Sequence, residues 1–203
     1  MGCRIDFNWV EQMRIVLPED RPRFEMPVRD GAVVTLSPVL KADREFFEKG
    51  IEELSVKSRF YRFGLGVGSL SQRELDYLSD VDQQAHVAWG AALGDDVAGV
   101  GRYIVAMDGS SAEVAITVLD DMQRRGVGTA LLTALVAVAR ADGISEFTFE
   151  ARFDNPAVVR MLGDIEVTPI ASDGLIERRI RLTDLPVSEH EPRLVAVMDE
   201  TRG

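Results

Sequence analysis

The chain has 203 residues, 46 % of them hydrophobic and 28 % charged, which supplies a core for one domain of generous size and excludes the disordered and fibrous classes. No apolar run approaches the roughly 18 residues that a membrane-spanning helix needs. The formal net charge of −11 repels nucleic acid and anionic membranes and favours cationic partners, and against it the pair Arg124-Arg125 marks a local need for positive charge.

Residues 1–26 read as an N-terminal arm of mixed charge, broken by Pro18 and Pro22, with Pro27 just beyond. A basic segment followed by an apolar one is missing from this stretch, so it does not read as a secretion signal, and Asp6 stands where a myristoylation motif wants Ser or Thr. The single cysteine, Cys3, has no internal partner and lies far from His86 and His190, so no metal cluster is expected. A cytoplasmic location follows as the simplest expectation.

Beyond the arm, "AVVTLSPVL" (32–40) predicts a strand, and "KADREFFEKGIEELS" (41–55) a helix with Phe46, Phe47, Ile51 and Leu54 on one face. "SRFYRFGLGVGS" (58–69) reads as a loop with three glycines. "SQRELDYLSDV" (71–81) opens with Ser71 three residues before Glu74, the signature of a capped helix. The period then changes. "HVAWGAAL" (86–93), "VAGVGRYIVA" (97–106) and "AEVAITVL" (112–119) predict an antiparallel meander, with turns at Gly94-Asp95-Asp96 and Asp108-Gly109-Ser110. "GTALLTALVAVARADG" (128–143) is a strong helix, "EFTFEARF" (146–153) a strand, and Asn155-Pro156 opens a further helix over 155–164. Two last strands flank Asp173-Gly174, and residues 186–203 read as a partly ordered tail. The order predicts a single α+β domain over 27–185 with a largely antiparallel sheet.

Between strand 112–119 and helix 128–142 stands Gln123-Arg124-Arg125-Gly126-Val127-Gly128. A helix N-terminus offers unpaired backbone N–H groups and partial positive charge, and glycines let an anion approach the backbone closely. Arg124 and Arg125 add charge-assisted donors suited to a diphosphate. The Gly-Lys-Ser/Thr ending of nucleoside-triphosphate loops is absent, as is the third glycine of the dinucleotide fingerprint.

In this setting the six residues resemble the acetyl-coenzyme A signature Q/R-x-x-G-x-G/A of the GNAT N-acetyltransferase superfamily, and the predicted element order is similar to that fold from about residue 32 to residue 185. The resemblance implies that the loop from Gln123 through Arg124, Arg125, Gly126, Val127 and Gly128 to Thr129 holds the pyrophosphate. It also implies that Ile116, Thr117 and Val118 pair with the pantetheine arm, and that Asn155 touches the cofactor. The fold implied is an α+β GNAT-like mixed sheet, and the activity is acetyl transfer from acetyl-coenzyme A to a primary amine.

An amine attacks only when neutral, and a lysine amine has a reference pKa near 10.4, so a base is required at neutral pH. Glu113, in the strand where the superfamily often carries its catalytic glutamate, is the candidate; the competing reading is a strand glutamate balancing a nearby arginine. Glu150 and Asp154 stand in reserve, and a lone His86 in an apolar strand fits a satisfied core residue better. Leu162 occupies about the place where many members carry a tyrosine that protonates the departing thiolate. "LSVKSRFYRF" (54–63) is similar to a segment of bacterial protein-lysine acetyltransferases, and its Phe60, Tyr61 and Phe63 either wall an amine slot or pack helices onto the sheet. The acceptor is thus a protein lysine or a small-molecule amine, without nucleic-acid or membrane partners. A coenzyme-A-binding sensor that has lost turnover is the alternative. Either terminal segment can cover the acceptor cleft or build a homodimer.

Overall fold

The computed structural model describes residues 20–28, 31–63, 70–152, 170–172 and 175–203. The strands are β1 (Phe24–Pro27), β2 (Val33–Pro38), β3 (His86–Leu93), β4 (Asp96–Val105), β5 (Ser111–Val118), β6 (Glu146–Arg152), β7 (Ile170–Ser172) and β8 (Leu175–Arg181). The helices are α1 (Arg44–Glu53), α2 (Val56–Phe63), α3 (Gln72–Ser79), α4 (Val127–Ala141) and α5 (Glu191–Arg202). The strands form one sheet in the order β1-β2-β3-β4-β5-β6-β8-β7, antiparallel at every junction except β5–β6. This is the mixed, largely antiparallel α+β architecture that the sequence predicts.

Glycine decides how closely helix and sheet approach. A Cβ at Gly101 in β4 would meet Leu135 Cδ1 at 3.1 Å and Leu131 Cβ at 3.3 Å, so its absence lets α4 lie directly on the sheet. Because side chains alternate along a strand, Val100 and Arg102 point to the opposite face, which α1 covers. Ten of the fifteen α4 residues are buried, more than one amphipathic stripe would need, because the sheet covers one side and α5 another. Trp89, Tyr103, Phe147, Leu131 and Leu135 are the large, fully enclosed side chains of this layer.

Three expectations are corrected. Residues 58–63, read as part of a loop, belong to the helix α2. The Pro-broken arm ends in an edge strand: Phe24 and Met26 are buried while Glu25 and Pro27 are exposed, and at an edge the missing proline N–H costs no ladder bond. Within 186–203, read as a partly ordered tail, α5 is a twelve-residue helix with Pro192 in its first turn, and Leu194 and Met198 are fully buried. Both of its ends are fastened. Arg140 pairs with Glu191 at the start, and Arg202 makes a bidentate pair with Asp142 at 2.9 and 2.7 Å, while Asp142 also accepts from the Tyr103 hydroxyl at 2.8 Å. Leu194→Ala is therefore expected to destabilise the fold by about 3 kcal/mol and lower Tm by about 8 °C; a calorimetric scan that leaves Tm unmoved would separate α5 from the core.

The Ser71 cap is present as read, with Glu74 N–H on Ser71 Oγ at 3.3 Å and Ser71 N–H on Glu74 Oε2 at 2.7 Å. The expected helix over 155–164, the turn at Asp173-Gly174, Asp154, Asn155 and Leu162 lie outside the described residues. Among the described residues no helix is long and apolar enough to cross a membrane.

Candidate active site

The one parallel junction is short. β5 and β6 pair at Ser111↔Glu146, Ala112↔Phe147 and Glu113↔Thr148, and then separate. From Val114 to Val118, β5 pairs with β4 alone, while β6 from Phe149 to Arg152 pairs with β8. The result is a wedge with Glu113 at its vertex. The edge of β5 that faces the wedge offers alternating backbone N–H and C=O groups, the partners an extended amide-bearing arm requires. The five steps from Val118 back to Glu113 cover about 17 Å of strand.

At the mouth of the wedge the chain leaves β5, makes a short turn over Asp120–Met122 and enters α4. Arg124 (φ 64°) and Gly126 (φ 93°) both adopt the left-handed conformation, uncommon for an arginine and natural for a glycine. Backbone curled this way turns successive N–H groups into an anion-binding hollow. Gln123 Nε2 donates to Val118 O at 3.2 Å, fixing the loop to the end of β5. Arg124 is exposed, and Arg125 is half-buried with Nη1 3.4 Å from Met122 Sδ. No side chain caps α4 and no acidic residue sits in its first turn, although both are common at helix starts. The donor set at Arg124, Arg125 and the α4 N-terminus therefore fits a diphosphate, and nothing in that turn opposes one.

Glu113 is exposed and, among the described residues, takes part in no salt bridge. It shares its face of β5 with Ala115 and Thr117, which line a half-enclosed cavity of about 110 Å³ between α1 and the sheet. Phe46, Phe47, Ile51 and Leu54 form the apolar roof of this cavity, and Ser37, Arg102 and the Arg21–Asp43 ion pair supply its polar wall. The cavity thus lies on the face of the sheet that carries Glu113. Ile116 and Val118 face α4 instead, so only their backbones are available to a ligand in the wedge.

His86 is a partnered residue, as its setting suggested. Burial, then the Arg102 guanidinium at 3.2 Å from Nε2, push it down to about 4 against a weaker opposing pull from Asp82, so the ring is neutral at pH 7 and Nε2 accepts. Tyr103 lies on the α4 face, away from the cavity, where burial and its hydrogen bond to Asp142 push its pKa far up. Glu150 is exposed in β6 opposite Glu177.

Two acidic groups escaped the sequence reading. Asp120 reaches across to the start of α2, with Ser58 Oγ donating to Oδ1 at 2.8 Å. Glu53, at the end of α1, is held above the ordinary carboxylate range by burial first and then by Asp121 and Asp96. Neither contact has a local sequence signal, since each joins elements far apart in the chain. Phe60 and Tyr61, read as an aromatic cluster, stand on α2 with ring centroids 6.0 Å apart.

The model of the acetyltransferase (GNAT) family matches residues 57–163. Acetyltransferase Pat of Mycolicibacterium smegmatis is 31 % identical over 180 residues, covering 86 % of this chain and 54 % of that protein. Acetyltransferase PA5475 of Pseudomonas aeruginosa is 32 % identical over 121 residues, covering 58 % of this chain and 65 % of that one. The chain thus spans between half and two thirds of the length of these curated relatives. Among solved structures, the GNAT domain of S. lividans PAT superposes with a TM-score of 0.72 at 27 % identity, over 81 % of this chain and 99 % of that domain. The chain belongs to the acetyltransferase (GNAT) family of transferases, whose cofactor is acetyl-coenzyme A.

Proposed function

We propose that the chain moves the acetyl group of acetyl-coenzyme A to a primary amine, a protein lysine or a small molecule, with Glu113 as general base. The observation that carries this reading is the placement of Glu113 where β5 leaves β6, with the uncapped start of α4 at the open end of the same wedge. In this reading Arg124, Arg125 and the backbone N–H groups from Gln123 to Thr129, through Gly126, Val127 and Gly128, hold the diphosphate. The backbone of Ile116, Thr117 and Val118 pairs with the pantetheine arm, and Asn155 adds a contact from the segment after β6. The cofactor supplies an activated acyl carbon.

The Glu113 carboxylate takes a proton from the ammonium of the acceptor, directly or through water, and the neutral amine attacks. The cavity beneath α1 receives the carbon chain that bears the amine, and its apolar roof suits methylene groups. The acidic surface attracts a cationic acceptor. The curated relatives are named acetyltransferases, which supports the same chemistry. The exposure of Glu113 favours one second reading, a coenzyme-A-binding sensor that has lost turnover.

Calorimetric titration with acetyl-coenzyme A, followed by thiol release with and without a lysine peptide or an amine panel, decides between them. Binding with amine-dependent thiol release is the expected result. Binding with no release across the whole panel would leave the sensor, and no binding would overturn the assignment of the loop.

A further inference from the structure

Asp120 begins the turn that leads from β5 into the coenzyme loop, three residues before Gln123, yet its carboxylate serves another element. Oδ2 accepts the backbone N–H of Ser55 at 2.9 Å, and Oδ1 accepts the hydroxyls of Ser55 at 3.1 Å and Ser58 at 2.8 Å. These serines open α2, where the N–H of Ser58 also donates to Ser55 Oγ at 3.1 Å. Ser55, the local cap of α2, is thus itself held by a carboxylate 65 positions away in sequence. An eight-residue helix has little stability alone, and a negative charge at its N-terminus is among the few local forces that hold it. Burial works against that charge, but the hydrogen bonds from Ser55 and Ser58 outweigh it and keep Asp120 below the ordinary carboxylate value, so the carboxylate is charged at neutral pH.

The two ends of the clasp belong to different parts of the site. Leu119, which precedes Asp120, lines the cavity together with Leu54, which precedes Ser55. On one side of this contact runs the loop to α4; on the other, α2 carries Phe60 and Tyr61.

We propose that Asp120 is a positioning residue that couples occupancy of the loop before α4 to the placement of α2, the helix that follows cavity residue Leu54. The inference rests on the reading of residues 123–129 as the coenzyme loop. A ligand that fixes this loop also fixes the Asp120 carboxylate, and through three hydrogen bonds it fixes the first turn of α2. By linkage, whatever α2 contributes to holding the acceptor is returned to the coenzyme in equal measure.

Hydrogen exchange on the full chain, with coenzyme A as the probe, tests this. In the parent protein coenzyme A is expected to slow exchange in peptides covering both 123–130 and 56–63, the latter by about fivefold or more, the low end of ordinary coupling. In Asp120→Ala, exchange over 56–63 without ligand should quicken about tenfold, as the loss of a charge-assisted cap predicts. Coenzyme A should then slow residues 123–130 as before and leave 56–63 unchanged. Asp120→Asn, which keeps one oxygen for the Ser55 N–H, and the double variant Ser55→Ala, Ser58→Ala should fall between. A cap with a purely structural role would alter the basal rate of α2 while leaving its response to coenzyme A in place, and that result would overturn the coupling. So would a parent protein in which 123–130 responds and 56–63 does not. If 123–130 itself fails to respond, the coenzyme reading falls and the coupling falls with it.

Discussion

Replacing Gly128 by aspartate is expected to leave Tm unchanged or slightly raised and to weaken acetyl-coenzyme A binding by about a hundredfold. The two effects separate because one residue stands at two interfaces. Gly128 is the second residue of α4, in a first turn without acidic residues. A carboxylate there meets the positive end of the helix, worth about 0.3–1 kcal/mol in favour of folding. The same carboxylate occupies the ground proposed for the diphosphate. Two unit charges 4 Å apart repel by about 4 kcal/mol at the effective dielectric of a protein surface, and solvent screening brings the net cost to roughly 2.7 kcal/mol, a hundredfold in affinity. The new Cβ also keeps an anion from the backbone. Arg125→Ala removes one charged donor and should cost about tenfold. Calorimetric scanning and titration of the same preparations read both quantities, and unchanged affinity in Gly128→Asp would take the start of α4 out of the site.

For Glu113→Gln the expected result is a fall in kcat/KM of about a hundredfold or more at pH 7, with the Kd for acetyl-coenzyme A unaltered. Glutamine preserves the shape and exposure of the side chain in β5 and removes only the ability to accept a proton. The loss should shrink as pH rises toward 10, because a free lysine amine loses its proton near pH 10.4 without help. That convergence is the diagnostic feature. A deficit constant across pH would assign Glu113 to substrate placement, and no deficit at any pH would remove it from the mechanism.

The parts of the fold that were legible are those in which local signals carry the structure. The meander β3–β5 follows from alternation and from turns at Gly94 and Gly109, both left-handed, and α4 starts at Val127, within one residue of its expected start. The Ser71–Glu74 box marked α3 for the same reason. The parts that were missed depend on distant partners. α2 is only eight residues long and lies just before three glycines, and its cap Ser55 is held in place by Asp120 from the far end of β5, a contact its own sequence does not show. Leu194 and Met198 are four residues apart and do sit on one buried face, but Val195 and Val197 blur the stripe, and the basic groups that fasten α5, Arg140 and its own Arg202, act across tertiary contacts. In the site, the loop was readable because a helix start and two glycines are local features. The vertex at Glu113 was not, because where β5 parts from β6 is a property of strand pairing.

The brevity of the β5–β6 contact also bears on how the chain folds. Every other junction in the sheet is antiparallel, and β3–β4, β4–β5 and β7–β8 are hairpin neighbours closed by short loops at small entropic cost. The β5–β6 pairing instead joins Ser111 to Glu146 and must wait for a crossover through α4, yet only three residue pairs reward it. The docking of α4 onto the meander, with Leu131 and Leu135 over Gly101, brings β6 beside β5, and β6 is held chiefly by its seven pairs with β8 and by buried Phe147 and Phe149. Of the junctions that hairpin loops do not close, β5–β6 is the shortest, with three residue pairs against five in β2–β3 and seven in β6–β8.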